Sequence, residues 1–523
     1  MTPSDTATAE AVDRLDHRLA ARLMLGIFVA LCASAALGIS KWPGQMFLSA
    51  LESGEGLRAY HVAAGVSLLL VGLFWGSRPA RAAQRAVLLA WPLSALALYG
   101  AMSASDSSRQ WLQAADAQDL SAFAITALSL PALAALLWRL CRPAAADDAL
   151  HARTRSLALM LIGFVLVAEA ALSLSASLHP MTLDPLALAF VRATGTDVGP
   201  ALAQLIAQLP GLPQLVALSY RLTPIAFLAV ALLQLRGRPA HLPSAVLTWV
   251  GLTGCAFMAY HAYPIAGPLY LFANHPGLTD AMPSGTQALE PALLGPAPRN
   301  GMPSMHFGWL LAATLLWWRQ SRAWPGRVVL VAMTVLTGVA TLTTGEHYLI
   351  DLVVAVPFVL SALALFSTGN TAAATLRWRL ATAGALAWLA WVLLARLQID
   401  VLVGQPALGW ALMLATLALS AWQARALHRL WQPASVGPAP QPAAAWPASE
   451  RARLRALGWM FLASGLAALM YQVLFARQLA LVFGSTATAT YTVLATFLGG
   501  MSIGSVLGGH LAARTARPLL LYA

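Results

Sequence analysis

The feature that most constrains this chain is a series of apolar runs of roughly 17–25 residues, separated by polar loops. A run of that length crosses the hydrocarbon core of a bilayer, about 30 Å thick, as one α-helix. Only 10% of the residues are charged and 59% are hydrophobic, whereas soluble domains carry about 25% charged residues. We therefore predict an all-α, polytopic integral membrane protein with about 14 transmembrane helices, six of which form a central core.

The runs divide the chain into five regions. We predict a four-helix region at 1–150, the six-helix membrane core at 151–370, two further helices at 371–430, a Pro/Ala-rich linker at 431–452 and a two-helix tail at 453–523. The predicted spans are 21–40, 60–77, 86–103, 121–141, 156–178, 213–235, 242–264, 301–318, 327–343, 346–366, 378–396, 405–427, 456–475 and 485–508.

The net charge of +12 predicts an orientation rather than a nucleic-acid partner. Arginines fill alternate loops, whereas the remaining loops carry aspartates, and the positive-inside rule then places the N-terminus and the arginine loops in the cytoplasm. We predict a location in the bacterial inner (plasma) membrane, with the aspartate loops facing the periplasm or exterior. One of those loops contains an amphipathic stretch, Asp184–Ala193, which we expect to lie at the membrane interface.

Two short motifs lie at predicted external helix ends. Arg299-Asn300-Gly301-Met302-Pro303-Ser304-Met305-His306 opens the span at 301, and Gly345-Glu346-His347-Tyr348-Leu349-Ile350-Asp351 opens the span at 346. Because His347 and Asp351 are four residues apart on one predicted helix, they share a face, and a carboxylate beside an imidazole fixes its tautomer. Helix N-termini attract phosphate, so the motifs predict a phosphate site in which His347, oriented by Asp351, is a nucleophile and His306 lies at a similar depth.

Other residues are predicted to bind the phosphate or line the substrate. The candidates for phosphate binding are Ser304, Arg299, Asn300, Gly301 and Arg221, and either Asn300 or Gly301 is expected to be the helix N-cap. Tyr260, His261, Tyr263 and Tyr348 are predicted to line the substrate, although the first three also fit an aromatic belt at the membrane interface.

Pro303-Ser304-Met305-His306, followed by His347-Tyr348 and Asp351, resembles the second and third signature motifs of the type 2 phosphatidic acid phosphatase superfamily. With the segment 263–270, it is most similar to the branch of inositol phosphorylceramide synthase-like enzymes, and the similarity covers about 156–366. The resemblance implies chemistry without a metal or cofactor. It implies that His347 becomes a phosphohistidine, that Asp351 holds its other nitrogen, and that His306 protonates the departing alcohol.

The sequence departs from that family in two places. It lacks the basic first motif, and Thr341 occupies the position where the third motif usually has an arginine. Residues 457–518 resemble the start of the membrane portion fused to spermidine synthase-like domains, from which no substrate site can be transferred.

Several functions fit these observations. The first is a phosphatase that acts on a lipid phosphate in the external leaflet, with the bilayer and the lipid as its partners. The alternatives are a phosphotransferase that moves a phospho-head-group to an acceptor alcohol, an inactive transporter or scaffold, and a metal or haem site built on His306 and His347. The sequence indicates no oligomeric state.

Overall fold

A computed structural model describes residues 3–40, 70–75, 80–103, 117–141, 149–235, 237–239, 241–274, 290–295, 297–368 and 373–432, with isolated positions between 460 and 504. The chain divides into two compact units, Met1–Ser435 and Val436–Ala523. The predicted linker and the predicted spans 60–77, 456–475 and 485–508 lie wholly or largely outside the described residues, so they stay predictions.

The described part of the first unit is mostly helical. The first helices are α1 (Pro3–Ala36), α2 (Arg81–Ser103), α3 (Ala117–Cys141), α4 (Ala149–Leu178), α5 (Asp184–Ala193), α6 (Gly199–Ala207), α7 (Leu212–Arg221) and α8 (Thr223–Leu235). They are followed by α9 (Ala245–Ala262), α10 (Pro268–Asn274), α11 (Met305–Gln320), α12 (Trp324–Thr343), α13 (Leu349–Leu365), α14 (Ala374–Leu397), α15 (Ile399–Gly404) and α16 (Pro406–Leu430). Strand β1 (Met181–Thr182) pairs antiparallel with β2 (Ala292–Leu293).

Five described helices are long and apolar enough to cross a membrane. They are the Leu15–Ala36 part of α1, and α9, α12, α14 and α16. A sixth span arises if α7 and α8 are counted together, although they meet at an angle of 54°. Pro224, in the first turn of α8, explains that bend because proline has no N–H to continue a helix. The apolar helices fit an integral membrane protein, but the predicted count of about 14 spans is not confirmed.

Short connections between successive helices gather the sequence motifs at one end of the first unit. Residues 321–323 join α11 to α12, and residues 344–348 join α12 to α13, so these three helices run alternately up and down. Helix α11 packs against α8, α9, α12 and α13. We call the end that carries His306 and His347 the histidine end, and the opposite end, which carries Arg319 and Arg327, the arginine end.

Helix α5 corrects one expectation about the loops. The stretch Asp184–Ala193 is helical as its pattern suggests, but Asp184 and the residues from Leu186 to Val191 are buried. The helix packs against α14, α15 and α16 rather than lying on a membrane surface. An apolar helix face does not distinguish a lipid surface from a protein interior, so the pattern alone could not decide between them.

Candidate active site

Helix α11 begins later within the first histidine motif than predicted. Ser304 is the N-cap of α11, and His306 lies in its first turn, so the expected caps at Asn300 and Gly301 were wrong. Gly301 instead packs on the neighbouring segment, where its N–H donates to the Ile265 carbonyl at 2.8 Å. A Cβ on Gly301 would lie 2.5 Å from Ile265 Cγ1. That contact holds the chain outside the helix until Ser304.

The second histidine lies before its helix rather than on it. Gly345 adopts a left-handed conformation with φ of 72°, Tyr348 is the N-cap, and α13 begins at Leu349. The predicted helix start at 346 was therefore wrong. The side chains of His347 and Asp351 are nevertheless close to each other, with His347 Nδ1 3.4 Å from Asp351 Oδ2. Asp351 Oδ2 also accepts the Tyr348 N–H at 2.9 Å, so one carboxylate starts the helix and faces the imidazole.

Main-chain hydrogen bonds connect the two motifs. The Ser304 N–H donates to the Asp351 carbonyl at 3.3 Å, and the N–H groups of Glu346 and His347 both donate to the Thr341 carbonyl at 3.1 Å. Thr341 thus supports the loop that carries His347 through its backbone carbonyl.

The segment 263–270 packs directly against the second motif. The Leu269 N–H donates to the Gly345 carbonyl at 2.7 Å. Gly267 has φ of 104°, and a Cβ at this residue would lie 2.2 Å from the Glu346 carbonyl oxygen. Only glycine suits such a backbone conformation and such a close approach.

Asp184 holds this segment in place, although sequence reasoning assigned it no role at the site. Its carboxylate accepts the N–H groups of Ala266 at 2.7 Å and Gly267 at 2.8 Å, the Tyr348 hydroxyl at 3.0 Å, and the Thr182 hydroxyl. Burial raises the pKa of Asp184, whereas the four donated hydrogen bonds act in the opposite direction. Asp184 is fully buried. Because it begins α5 and accepts the hydroxyl of Tyr348, the N-cap of α13, it links these two helices.

His306 contacts Tyr220, which in turn bonds Glu346, and the sequence analysis assigned neither residue a role. The Tyr220 ring stacks on the His306 ring with centroids 4.2 Å apart and planes 25° apart. The Tyr220 oxygen lies 3.3 Å from His306 Nδ1, and the Tyr220 hydroxyl donates to the Glu346 carboxylate. Glu346 could have been noticed because it precedes His347, but Tyr220 lies 86 residues before His306 and outside both motifs.

Arg299, a predicted phosphate ligand, is occupied by the backbone. Its guanidinium donates to five carbonyl oxygens, those of His179, Pro180, Leu294, Gly295 and Ala297. Burial lowers the pKa of Arg299, and the charge of Asp184 opposes that change. In this arrangement no donor is left for a phosphate, so the geometry supports a structural role. Arg221, the other candidate, is exposed at the end of α7.

The four predicted substrate-lining residues occupy different surroundings. Tyr260 and Tyr263 are buried. His261 Nδ1 lies 3.1 Å from His179 Nε2, and the pKa of His179 is lowered by burial and then by the charges of His261 and two arginines. Tyr348 lines a cavity together with His347, whereas Tyr260, His261 and Tyr263 do not line that cavity.

Two cavities open beside the motifs. The His347 cavity has a volume of about 410 Å³, and its lining includes Val191, Asp197, Leu269, Phe272, Leu342, His347 and Tyr348. The Tyr220 cavity has a volume of about 430 Å³, and its lining includes Ile206, Val216, Tyr220, Arg221 and Ala340. Thr343 and Thr344 line both cavities, so the end of α12 forms a wall between them. Both volumes suit a small ligand.

The sequence was compared with known proteins and with models of protein families. No curated protein and no solved structure matched the chain. A family model described as PAP2 superfamily matches residues 187–365, and members of that superfamily are usually phosphatases or phosphotransferases. The branch similar to inositol phosphorylceramide synthase and the likeness of residues 457–518 stay predictions. The segment that carries both histidine motifs is therefore similar to the PAP2 superfamily.

Proposed function

We propose that the histidine end hydrolyses a phosphate ester of a lipid through a covalent intermediate on His347. The observation that carries this proposal is that the two histidine motifs meet at one end of the helices, where the Ser304 N–H donates to the Asp351 carbonyl, Asp351 faces His347, and His347 lines a cavity. Because Asp351 lies 3.4 Å from His347 Nδ1, Nε2 is the nitrogen left to act as the nucleophile. A carboxylate that orients an imidazole is a recurring feature of covalent catalysis.

The proposed reaction has two displacements at phosphorus. In the first, His347 Nε2 forms a bond to phosphorus, the ester P–O bond breaks, and protonated His306 gives its proton to the departing alkoxide. In the second, His306 removes a proton from water, the resulting hydroxide bonds to phosphorus, and the P–N bond to His347 breaks. Inorganic phosphate and the free lipid alcohol are the products, and both histidines return to their starting states.

The phosphate charge must be met without an arginine in the cavity wall. The residues that line the His347 cavity include no Lys or Arg. We assign the charge to protonated His306, to the N–H groups at the starts of α11 and α13, and to Ser304. Ser304 supports this role because its buried hydroxyl has no hydrogen-bond partner among the described residues. Asn300 and exposed Arg221 stay candidates for outer contacts.

The site is proposed to face the periplasm or exterior. Arg319 near the end of α11 and Arg327 near the start of α12 lie at the arginine end. Arg238 lies in the connection between α8 and α9, where the Gly237 carbonyl accepts a hydrogen bond from Gln320 of α11. The positive-inside rule places the arginine end in the cytoplasm and the histidine end at the outer leaflet. The mostly apolar lining of the His347 cavity suits a lipid whose phosphate reaches the histidines.

Hydrolysis by purified protein tests the proposal. The assay measures phosphate release in detergent micelles from a lipid phosphate monoester and from p-nitrophenyl phosphate. His347→Ala should lower kcat by at least about 10³-fold because it removes the nucleophile, and wild type should form an acid-labile phosphoprotein. His428→Ala, at an exposed histidine of the arginine end, is the matched control and should be unchanged. Equal activity of wild type and His347→Ala would contradict the proposal, and no phosphate release by either protein would favour an inactive transporter or scaffold.

Transfer to an acceptor alcohol is the second candidate function. The Tyr220 cavity favours it, because a second cavity of about 430 Å³ beside His306's partner Tyr220 has room for an acceptor. If the protein is a transferase, adding an alcohol acceptor should divert phosphate from water into a new ester. A product mixture that stays entirely inorganic phosphate with every alcohol tested would leave hydrolysis as the reaction.

A metal or haem centre on the two histidines is a weaker alternative. In the part of the chain that the structure describes, no three His, Cys, Asp or Glu side chains are grouped as ligands for a metal ion. Metal analysis of the purified protein, with activity measured before and after treatment with a chelator, tests this alternative directly. Loss of activity on chelation, restored by one metal, would favour it over the phosphohistidine.

A further inference from the structure

Tyr220, His306 and Glu346 form a hydrogen-bonded chain across three separate segments of the fold. The Tyr220 oxygen lies 3.3 Å from His306 Nδ1 and also bonds Glu346 Oε2. These hydrogen bonds connect the two histidine motifs, since His306 belongs to the first motif and Glu346 directly precedes His347 in the second. All three side chains are partly buried.

Proton counting fixes the direction of both hydrogen bonds. A phenol has one proton to donate, and an ionised carboxylate can only accept. With Glu346 ionised, the Tyr220 hydroxyl donates its hydrogen bond to Glu346, and the Tyr220 oxygen accepts a hydrogen bond from His306 Nδ1–H. The neutral imidazole is then the Nδ1–H tautomer, which leaves Nε2 free to accept a proton from water or, once protonated, to donate one to a leaving alcohol.

We propose that Tyr220 and Glu346 are positioning residues that hold His306 in the tautomer needed for acid–base catalysis. The stacked phenol ring fixes the plane of the imidazole, with centroids 4.2 Å apart, and the Glu346 charge acts on His306 through the phenol. His347 is oriented directly by Asp351, whereas His306 is oriented through an intervening tyrosine. This inference rests on the proposed function, because it assigns His306 the protonation step of that reaction.

The leaving group of the substrate separates this role from a purely structural one. An alkyl phosphate needs a proton on its departing oxygen, whereas p-nitrophenolate leaves without one. Tyr220→Phe keeps the ring and removes only the hydroxyl. It should lower kcat/KM at least tenfold for an alkyl phosphate and less than threefold for p-nitrophenyl phosphate. Equal losses for both substrates, or no loss for either, would overturn the proposal.

Glu346 provides an independent arm of the same test. Glu346→Gln removes the charge and should show the same leaving-group dependence as Tyr220→Phe. If the residues act as one chain, the double variant should lose little more than either single variant, because neighbouring residues in one network are not additive. Tyr99→Phe, at a tyrosine that is 54% exposed in α2, should match wild type. Losses that simply multiply in the double variant would contradict a shared role.

A spectroscopic measurement keeps the inference testable whether or not hydrolysis is found. Nitrogen-15 NMR of histidine-labelled protein reports which ring nitrogen carries the proton, and the His306 signal is identified by its loss in His306→Gln. At a pH where the His306 ring is neutral, we expect the Nδ1–H tautomer in wild type and its loss in Tyr220→Phe. An Nε2–H tautomer in wild type, or an unchanged spectrum in Tyr220→Phe, would refute the inference. Absence of hydrolysis of every phosphate ester would instead refute the proposed function.

Discussion

Replacing Arg299 by alanine should destabilise the protein, because this side chain joins two segments that otherwise share little more than the β1–β2 ladder. Arg299 donates to five carbonyl oxygens, and two of those oxygens also accept a backbone N–H. Three carbonyls would thus lose their partner. At about 1 kcal/mol each, the lower end of the range for a buried unsatisfied group, the loss is about 3 kcal/mol. At roughly 2 °C per kcal/mol, the melting temperature should fall by about 6 °C.

The assay compares thermal melting in detergent, followed by tryptophan fluorescence, with phosphate-ester kinetics. Arg299→Lys should lose most of the same stability, because an ammonium on one atom cannot span the carbonyls that the guanidinium reaches. Arg221→Ala is the matched control, since this exposed arginine should change stability by less than about 0.5 kcal/mol. Unchanged melting of Arg299→Ala, accompanied by a raised KM for phosphate esters, would refute the structural reasoning and restore Arg299 as a phosphate ligand.

Three further predictions concern the surroundings of the histidines. Gly267→Ala should abolish activity and lower the melting temperature, since its Cβ would lie 2.2 Å from the Glu346 carbonyl oxygen; a fully active variant would be contrary to this geometry. Asp184→Ala should cost about 2 kcal/mol or more of unfolding free energy, measured by denaturation, because the N–H groups of Ala266 and Gly267 lose their acceptor. The Thr182 and Tyr348 hydroxyls also reach the backbone carbonyls of Pro264 and residue 184, and a loss below about 1 kcal/mol would disagree with the bonding described. The lowered pKa of His179 means that the unfolded chain binds more protons, so stability should fall as pH drops below the usual value of 6.5. The melting temperature of His179→Gln should then depend less on pH than that of wild type, and parallel curves would exclude this contribution.

The apolar runs predicted the positions of the helices better than the number of helices that span the membrane. Most predicted spans in the described residues have a helix at nearly the same position, such as 327–343 for Trp324–Thr343 and 405–427 for Pro406–Leu430. Length and hydropathy alone support only five or six spans among the described residues, and the predicted spans 301–318 and 346–366 correspond to helices of only 16 and 17 residues, α11 and α13.

The candidate site was predictable only where sequence neighbours supply its contacts. His347 and Asp351 are four residues apart, and their meeting survives even though His347 precedes the helix. Asp184 and Tyr220 reach the motifs across long separations of 164 and 126 residues, and nothing in a local pattern specifies such contacts. The helix starts were misplaced because tertiary packing of Gly301 on Ile265 outweighs local capping preference.

The three segments around the histidines are joined largely by bonds between peptide groups, at Ser304 to Asp351, Gly301 to Ile265 and Leu269 to Gly345. A peptide group offers the same donor and acceptor whichever amino acid contributes it, so these links tolerate many side chains beyond Gly267, Gly301 and Asp184, whose identity the packing requires. Natural variation could therefore redesign the walls of the neighbouring hollows for a different head group or tail. The spacing of the two reactive rings would be inherited unchanged through such divergence.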